Sequence, residues 1–413
     1  NGATFVGDLT NPFPASYYAE SIPYAPTGAS KGLLTNIGGN PGNVVVADRK
    51  NPQFWRLTFG VQRELPGNFV VEVSYLGQRG QNVPYNKNLN YVPEQYRSQN
   101  PLRDDAAERF LSATVANPFR GLTPDNPASG NATIARSRLL VAYPQFNTLA
   151  AEFYDGSNTY DGVYVRLEKR FNKGFMVSTS YTYSRYREKT TPLNPWEGLE
   201  DRIGATDRPH RITFASVAEL PFGKGRKLGG NWSPFVDAIL GGWQLTGRYE
   251  YQTGQPLGWG DVYFDAACGS TSVLKSSWGK DANGRKKGVD VPFFDTACFY
   301  TVGGQPFANG RTFNATELTF GAAHVRRSAS LVDSIRFQNH HVMDLGVSKN
   351  FQISKRVRLQ VRAEALNAEN YTLFGANRVD LNPRNATFGK LNNLDASTVM
   401  RPRDFQLGAR LSF

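Results

Sequence analysis

The end of this chain alternates strictly. Phe405, Leu407, Ala409, Leu411 and Phe413 fall on one side, and Asp404, Gln406, Gly408, Arg410 and Ser412 fall on the other. Successive side chains of an extended strand point to opposite faces, so a period of two makes a strand with one apolar and one polar face. About ten residues suit a tilted strand crossing a bilayer. An amphipathic edge strand of a soluble sheet is the competing reading, and repetition of the pattern along the chain decides between them.

The pattern repeats. Trp55, Leu57, Phe59 and Val61 alternate with Arg56, Thr58, Gly60 and Gln62. The turn Pro66-Gly-Asn68 then leads to a second strand carrying Phe69, Val71, Val73 and Tyr75, which completes a hairpin. A third strand over 159–171 sets Val163, Val165 and Leu167 against Tyr164, Arg166, Glu168 and Arg170, and Asn172-Lys-Gly174 turns it into a fourth over 175–186. Further strands follow near Arg211–Phe214, Trp243–Thr253, His341–Phe351 and Val357–Leu366. Short helices are expected near Asp104–Ser112 and Pro234–Leu240, and a short strand at Val44–Val46.

Loop lengths separate the two readings. The connections 66–68, 172–174 and 352–356 are short and 221–241 is medium, whereas 80–158, 187–209, 254–340 and 367–402 are long. Counted back from Phe413, the long ones all fall at one end of the strands. Membrane barrels keep short periplasmic turns and long external loops on opposite ends. A compact soluble domain has no reason to do so, and it seldom carries loops this long. The expected fold is therefore all-β: an antiparallel transmembrane outer-membrane β-barrel of about nine strands with long external loops, incomplete in this chain. Closure of such a barrel satisfies every backbone hydrogen bond. No apolar run approaches the 18 or so residues of a membrane-spanning helix.

Aromatic residues make up 13% of the chain, which fits girdles at the two membrane surfaces. The net charge of +12 does not collect in one patch, so a wet lumen and loops facing lipopolysaccharide account for it better than nucleic acid does. Residues 1–52, rich in Pro, Gly and Asn, read as an external loop before the first strand, and 53–413 as the carboxyl-terminal part of the barrel. The start at Asn1, without Met or signal peptide, suggests a portion of a longer precursor. Cys268 and Cys298 share the loop 254–340, and in an exported protein they are expected to form a disulfide. That bond would order a loop expected to have no core of its own.

No catalytic, cofactor or metal constellation stands out. None of His210, His324, His340 and His341 has H-E-x-x-H spacing, and adjacent strand residues such as His340 and His341 point to opposite faces. Ser277-Trp-Gly-Lys280 fits S-x-x-K without the accompanying motifs, and Asp281-Ala-Asn-Gly284 begins a calcium loop that no Glu completes. The chain is not expected to be an enzyme. The polar faces carry the chemistry: Arg166, Glu168, Arg170, Arg248, Glu250, Arg358, Arg362, Glu364 and Arg410. An Arg at the bilayer midplane costs about 2–4 kcal/mol, so these groups are expected to face the lumen, against water, a plug or one another. They read first as a structural ion-pair ladder, since no cluster singles out a ligand, and second as the wall of a passage.

The order of several short motifs resembles the carboxyl-terminal part of TonB-dependent receptors, in particular the Oar-like group. The motifs are Trp55-Arg-Leu-Thr-Phe-Gly-Val-Gln-Arg-Glu-Leu65, Val73-Ser-Tyr-Leu-Gly77, Asn88-Leu-Asn-Tyr91, Asp207-Arg-Pro-His-Arg211, Glu219-Leu-Pro-Phe-Gly-Lys-Gly-Arg226, Gly242-Trp243 and Arg362-Ala-Glu-Ala-Leu-Asn367. The resemblance spans essentially the whole chain. It implies a larger barrel with an amino-terminal plug, neither plug nor amino-terminal domain being among these residues, and uptake of an unidentified large ligand. The implied partners are outer-membrane lipid and lipopolysaccharide, and a TonB-type energising complex reached through the amino-terminal part. A terminal strand ending in Phe413 resembles the signal read by the barrel-assembly machinery. The alternative is an adhesion or complex-scaffold barrel that acts through its long external loops.

Overall fold

A computed structural model describes residues 43–100, 103–122, 130–263, 292, 294, 296, 299–301, 314, 317–354, 356–374, 379–391 and 402–413. Residues 1–42, Cys268 and Cys298 lie outside the described residues, and with them most of the expected amino-terminal loop and the expected disulfide.

Nine long strands make one sheet. They are β1 (Gln53–Leu65), β2 (Phe69–Asn88), β3 (Ala150–Asn172), β4 (Phe175–Lys189), β5 (His210–Glu219), β6 (Trp243–Gln252), β7 (His340–Gln352), β8 (Arg358–Leu366) and β9 (Asp404–Ser412). Each pairs with the next in sequence, all antiparallel. Among the described residues the sheet is open, and β1 and β9 each have a long-strand partner on one side only. The expected short strand appears as Asn43–Val45, parallel to the start of β3. Both expected helices form: α1 (Asp105–Ser112) and α2 (Pro234–Leu240). Strands β2 and β3 run far past the expected limits, because the pairing continues from Gln81–Ser157 to Asn88–Ala150 through register shifts that break the simple alternation.

Turn chemistry fixes the short end. Lys173 and Gly174 have φ of 54° and 86°, and Gly67 and Asn68 have 86° and 66°. Positive φ over successive residues gives a twist matching that of the flanking strands, and Gly and Asn tolerate it at little cost. The connections 66–68, 173–174, 220–242 and 353–357 lie at this end, and 89–149, 190–209, 253–339 and 367–403 lie at the other.

The register keeps one face continuous across all nine strands. Val73 pairs with Val165, Val165 with Tyr181, Tyr181 with Ile212, Leu245 with Val347, Val347 with Ala363, and Ala363 with Leu407. No second sheet covers this apolar face among the described residues: Leu57 is 65% exposed, Leu245 44% and Leu407 85%. Aromatic residues border the apolar band at both ends. Phe69, Phe175, Trp243 and Phe351 stand at the short-turn end, and Tyr75, Tyr181, Tyr183 and His210 at the long-loop end. The Tyr181 and Tyr183 rings lie against His210, with centroids 6.1 and 5.3 Å away. Phe175 and Tyr183 are eight positions apart, about 26 Å along a strand at ~3.3 Å per residue. At a tilt of about 40° this spans roughly 20 Å, close to the height of an outer-membrane apolar band.

Candidate functional site

The charged residues occupy the other face. Arg166 and Glu168 of β3 lie 2.7 Å apart, with Glu72 of β2 in register opposite Arg166. Across β5, β6 and β7 a chain of ion pairs runs from Arg211 to Glu250 (3.1 Å), Glu250 to Arg248 (3.1 Å) and Arg248 to Asp344 (3.3 Å). Arg362 of β8 reaches Glu364 at 3.9 Å and lies across Gly408 of β9, where a Cβ would meet its Nε at 2.8 Å. Arg358 bonds Gln352 weakly at 3.5 Å, and Arg410 lies opposite Gln360 in register. Arg170 stands exposed near the short-turn end.

These nine residues thus share one face but not one cluster. The side chain of Arg248 is 61% exposed and that of Arg362 57%. Exposed pairs of this kind contribute only about 0–1 kcal/mol each, so they do little to hold the sheet together. Their groups are available to water or to another surface at small cost.

The second part of the site lies at the long-loop end. The expectation that residues 254–340 have no core is overturned. Leu257, Trp259, Val262, Phe294, Phe299, Val332, Ile335 and Phe337 pack with Val379, Phe388 and Leu391 of the following loop. Trp259 stacks on Phe299 at 5.2 Å between centroids, and Phe388 meets Phe294 and Phe299 edge-on. Buried apolar area supplies this layer's stability, as in any small core. Two smaller cores adjoin it, one around Tyr263, Tyr300 and Leu318 and one around Val92, Leu111 and Ala323. Burial pushes the Tyr263 hydroxyl up to about 12 and lowers the pKa of the Arg97 guanidinium.

Residues 317–339 join all four loops. Arg97 donates to the His324 carbonyl at 2.9 Å, and Ala323 N–H donates to Glu108 at 2.9 Å. The Asn194 side chain and the Arg326 backbone bond each other twice, at 2.9 and 3.0 Å. Arg202 donates to Ser330 at 2.6 Å, and Gln338 donates to the Thr372 carbonyl at 2.6 Å. Arg336 pairs with Asp207 at 2.8 Å.

A cleft of about 530 Å³ opens in this layer between Gly260–Asp261, Leu318–Phe320 and Val379–Arg384. At its edge the Asp261 carboxylate lies 2.8 Å from His324 Nε2, but the two are not aligned for a hydrogen bond. Among the described residues, Asp261 Oδ1, Trp259 Nε1 and Ser328 Oγ are likewise buried without a hydrogen-bond partner. Such groups are costly inside a protein unless they are paired. None of these four residues was marked in the sequence beyond His324. Of the motifs quoted above for the family resemblance, Asn88-Leu-Asn-Tyr91 and Asp207-Arg-Pro-His-Arg211 reach into the layer. Among the described residues no cluster of three or more metal-ligating side chains occurs.

Residues 1–406 match a protein-family model described as "Outer membrane beta barrel domain". No curated protein matches the sequence. Among solved structures, the chain is similar to the FrpB iron transporter from Neisseria meningitidis, with 10% identity over 91% of this chain and 33% of that one and a TM-score of 0.34. It is also similar to the outer membrane transporter YddB from Escherichia coli, with 10% identity over 90% of this chain and 34% of that one and a TM-score of 0.34. For the copper transporter OprC the figures are 9% identity, 92% and 34% coverage, and a TM-score of 0.35. The chain spans about a third of the length of these proteins.

Proposed function

This chain belongs to the outer membrane beta barrel domain family, and on that premise we propose that it forms part of an outer-membrane receptor of the TonB-dependent type, which takes up a large ligand through a plugged barrel. In this reading the apolar face meets lipid, the charged face lines the lumen and the four long loops face outward. The observation that carries it is the folding of those loops onto residues 317–339 as one cored layer. A layer with its own cores holds a recognition surface in place, as a rigid scaffold holds a binding loop.

The two parts have separate roles. The cleft offers the carboxyl groups of Asp261 and Asp380, the guanidinium of Arg384 and an aromatic wall from Phe320 to a ligand arriving from outside, with His324 buried behind Asp261. Beneath it, the weak pairs along Arg211, Glu250, Arg248 and Asp344 exchange partners at low cost with water, a plug or passing cargo. Energy for uptake would come from a TonB-type complex acting through the plug-bearing part of the protein.

The test uses bacteria with and without the complete gene, grown on a panel of limiting nutrients, each with and without the energising complex. The reading expects a defect confined to one nutrient class and reproduced by loss of that complex. Equal growth throughout, with loss of surface attachment or of a co-purifying surface partner, would instead establish the adhesion or scaffold alternative.

A further inference from the structure

We propose that the connection 220–242 is a membrane anchor in which α2 lays Phe235, Ile239 and Leu240 into the periplasmic leaflet of the outer membrane. Helix α2 carries one polar residue, Asp237, among apolar ones. Its Pro234, Asp237 and Ala238 side lines a polar cleft together with Gly223 and Gly241, and Asp237 accepts from Lys224 N–H at 2.6 Å. Its other side carries Phe235 at 75% exposure, Ile239 at 50% and Leu240 at 49%. Seven residues are too few for a stable isolated helix, so its packing and surroundings must support it.

Two residues of the apolar sheet face fix where this helix lies. Trp243 Nε1 donates to the Ile239 carbonyl at 2.9 Å. Lys349, in register opposite Trp243, donates its ammonium to the Gly241 carbonyl and places it 4.9 Å from the Trp243 ring and 5.0 Å from the Phe351 ring. Lys169, also on the apolar face, does the same at β3. It donates to the carbonyls of Asn172 (2.8 Å) and Phe175 (3.1 Å) and lies 3.8 Å from the Phe175 ring. A lysine on a lipid-facing row that turns its charge towards turn carbonyls and aromatic rings marks the boundary between acyl chains and headgroups. Held at Ile239 by Trp243 of the apolar face, the exposed side of α2 would extend the lipid-facing surface at this boundary. Lys224 and Lys227, exposed on the same connection, complement headgroup phosphates.

The inference rests on the barrel reading and holds whether or not cargo passes. Photoreactive p-benzoylphenylalanine placed at Phe235 or Ile239 of the full precursor, in cells, tests it. Leu245 on the apolar face and Arg248 on the charged face serve as reference positions. Insertion predicts phospholipid adducts at 235 and 239 comparable to those at 245 and about ten-fold above those at 248. Protein adducts, or none, at 235 and 239 beside lipid adducts at 245 would overturn the anchor. Lack of lipid adducts at 245 as well would overturn the barrel reading beneath it.

Discussion

The carboxylate of Asp207 has 1% of its side chain exposed and lies 2.8 Å from the guanidinium of Arg336. Asp207 also accepts from Tyr186 N–H at 2.6 Å, and Arg336 donates to the Asp207 carbonyl at 3.0 Å. One pair therefore ties the end of β4, the loop 190–209 and the loop 253–339 together.

Removing one partner leaves the other charge buried and uncompensated, at a cost of about 3–5 kcal/mol. Arg336→Ala is expected to loosen the loop layer and leave the strands intact. Brief external proteolysis of cells making the precursor reads this out: cuts should multiply in residues 190–209 and 253–339, with the heat-modifiable barrel retained. An unchanged cleavage pattern would show that the cores hold the layer without the pair.

Val165 and Tyr164 are neighbours at one depth on opposite faces of β3. On the proposed barrel reading, Val165→Arg puts a charge in the lipid band, where the cost reaches about 2–4 kcal/mol at the midplane and falls towards the aromatic border, whereas Tyr164→Arg faces the lumen and should cost less. Denaturant unfolding of the full protein in vesicles measures both. Equal losses would contradict the assignment of faces.

Asp104 caps α1 by accepting from Ala106 N–H at 3.1 Å and Ala107 N–H at 3.0 Å, and Ser98 donates to it at 2.7 Å. These bonds, the backbone bond from Ala107 first, hold its pKa below the ordinary 3.8. A depressed pKa means that the cap contributes fully above 3.8 and is lost as pH falls through the lower folded value. Asp104→Ala should cost about 1 kcal/mol at neutral pH and abolish that acid-dependent step, and Asp104→Asn should cost less. Hydrogen exchange at α1 against pH would show either the step or its absence.

Phe413 is 97% exposed and follows Leu411 and Ala409 in the apolar series of β9. Among the described residues β9 pairs with β8 alone, which leaves an edge ready to template another strand. Phe413→Ser, or its deletion, should lower the amount of heat-modifiable, protease-resistant barrel in outer-membrane fractions. Ligand binding by what does assemble should not change. Normal levels in both variants would reduce Phe413 to one more lipid-facing side chain.

The alternation by itself determined the nine strands, their faces and the two kinds of connection, because strand geometry forces a period of two that can be read residue by residue. It placed Leu57, Val165, Leu245 and Leu359 on one surface and Arg166, Glu168, Arg248 and Arg362 on the other, as the register confirms. Lys169 and Lys349 follow the same parity onto the apolar face, yet polarity alone would have excluded them. Only the fold supplies the turn carbonyls and rings that make their positions tolerable. The packing of the loop layer was likewise invisible in the sequence. Asp207 and Arg336 are 129 residues apart, and the core uniting Trp259 with Phe388 has no repeat to betray it. Contacts between distant segments depend on which loops the strands bring to the same end of the sheet, and only the tertiary structure decides that.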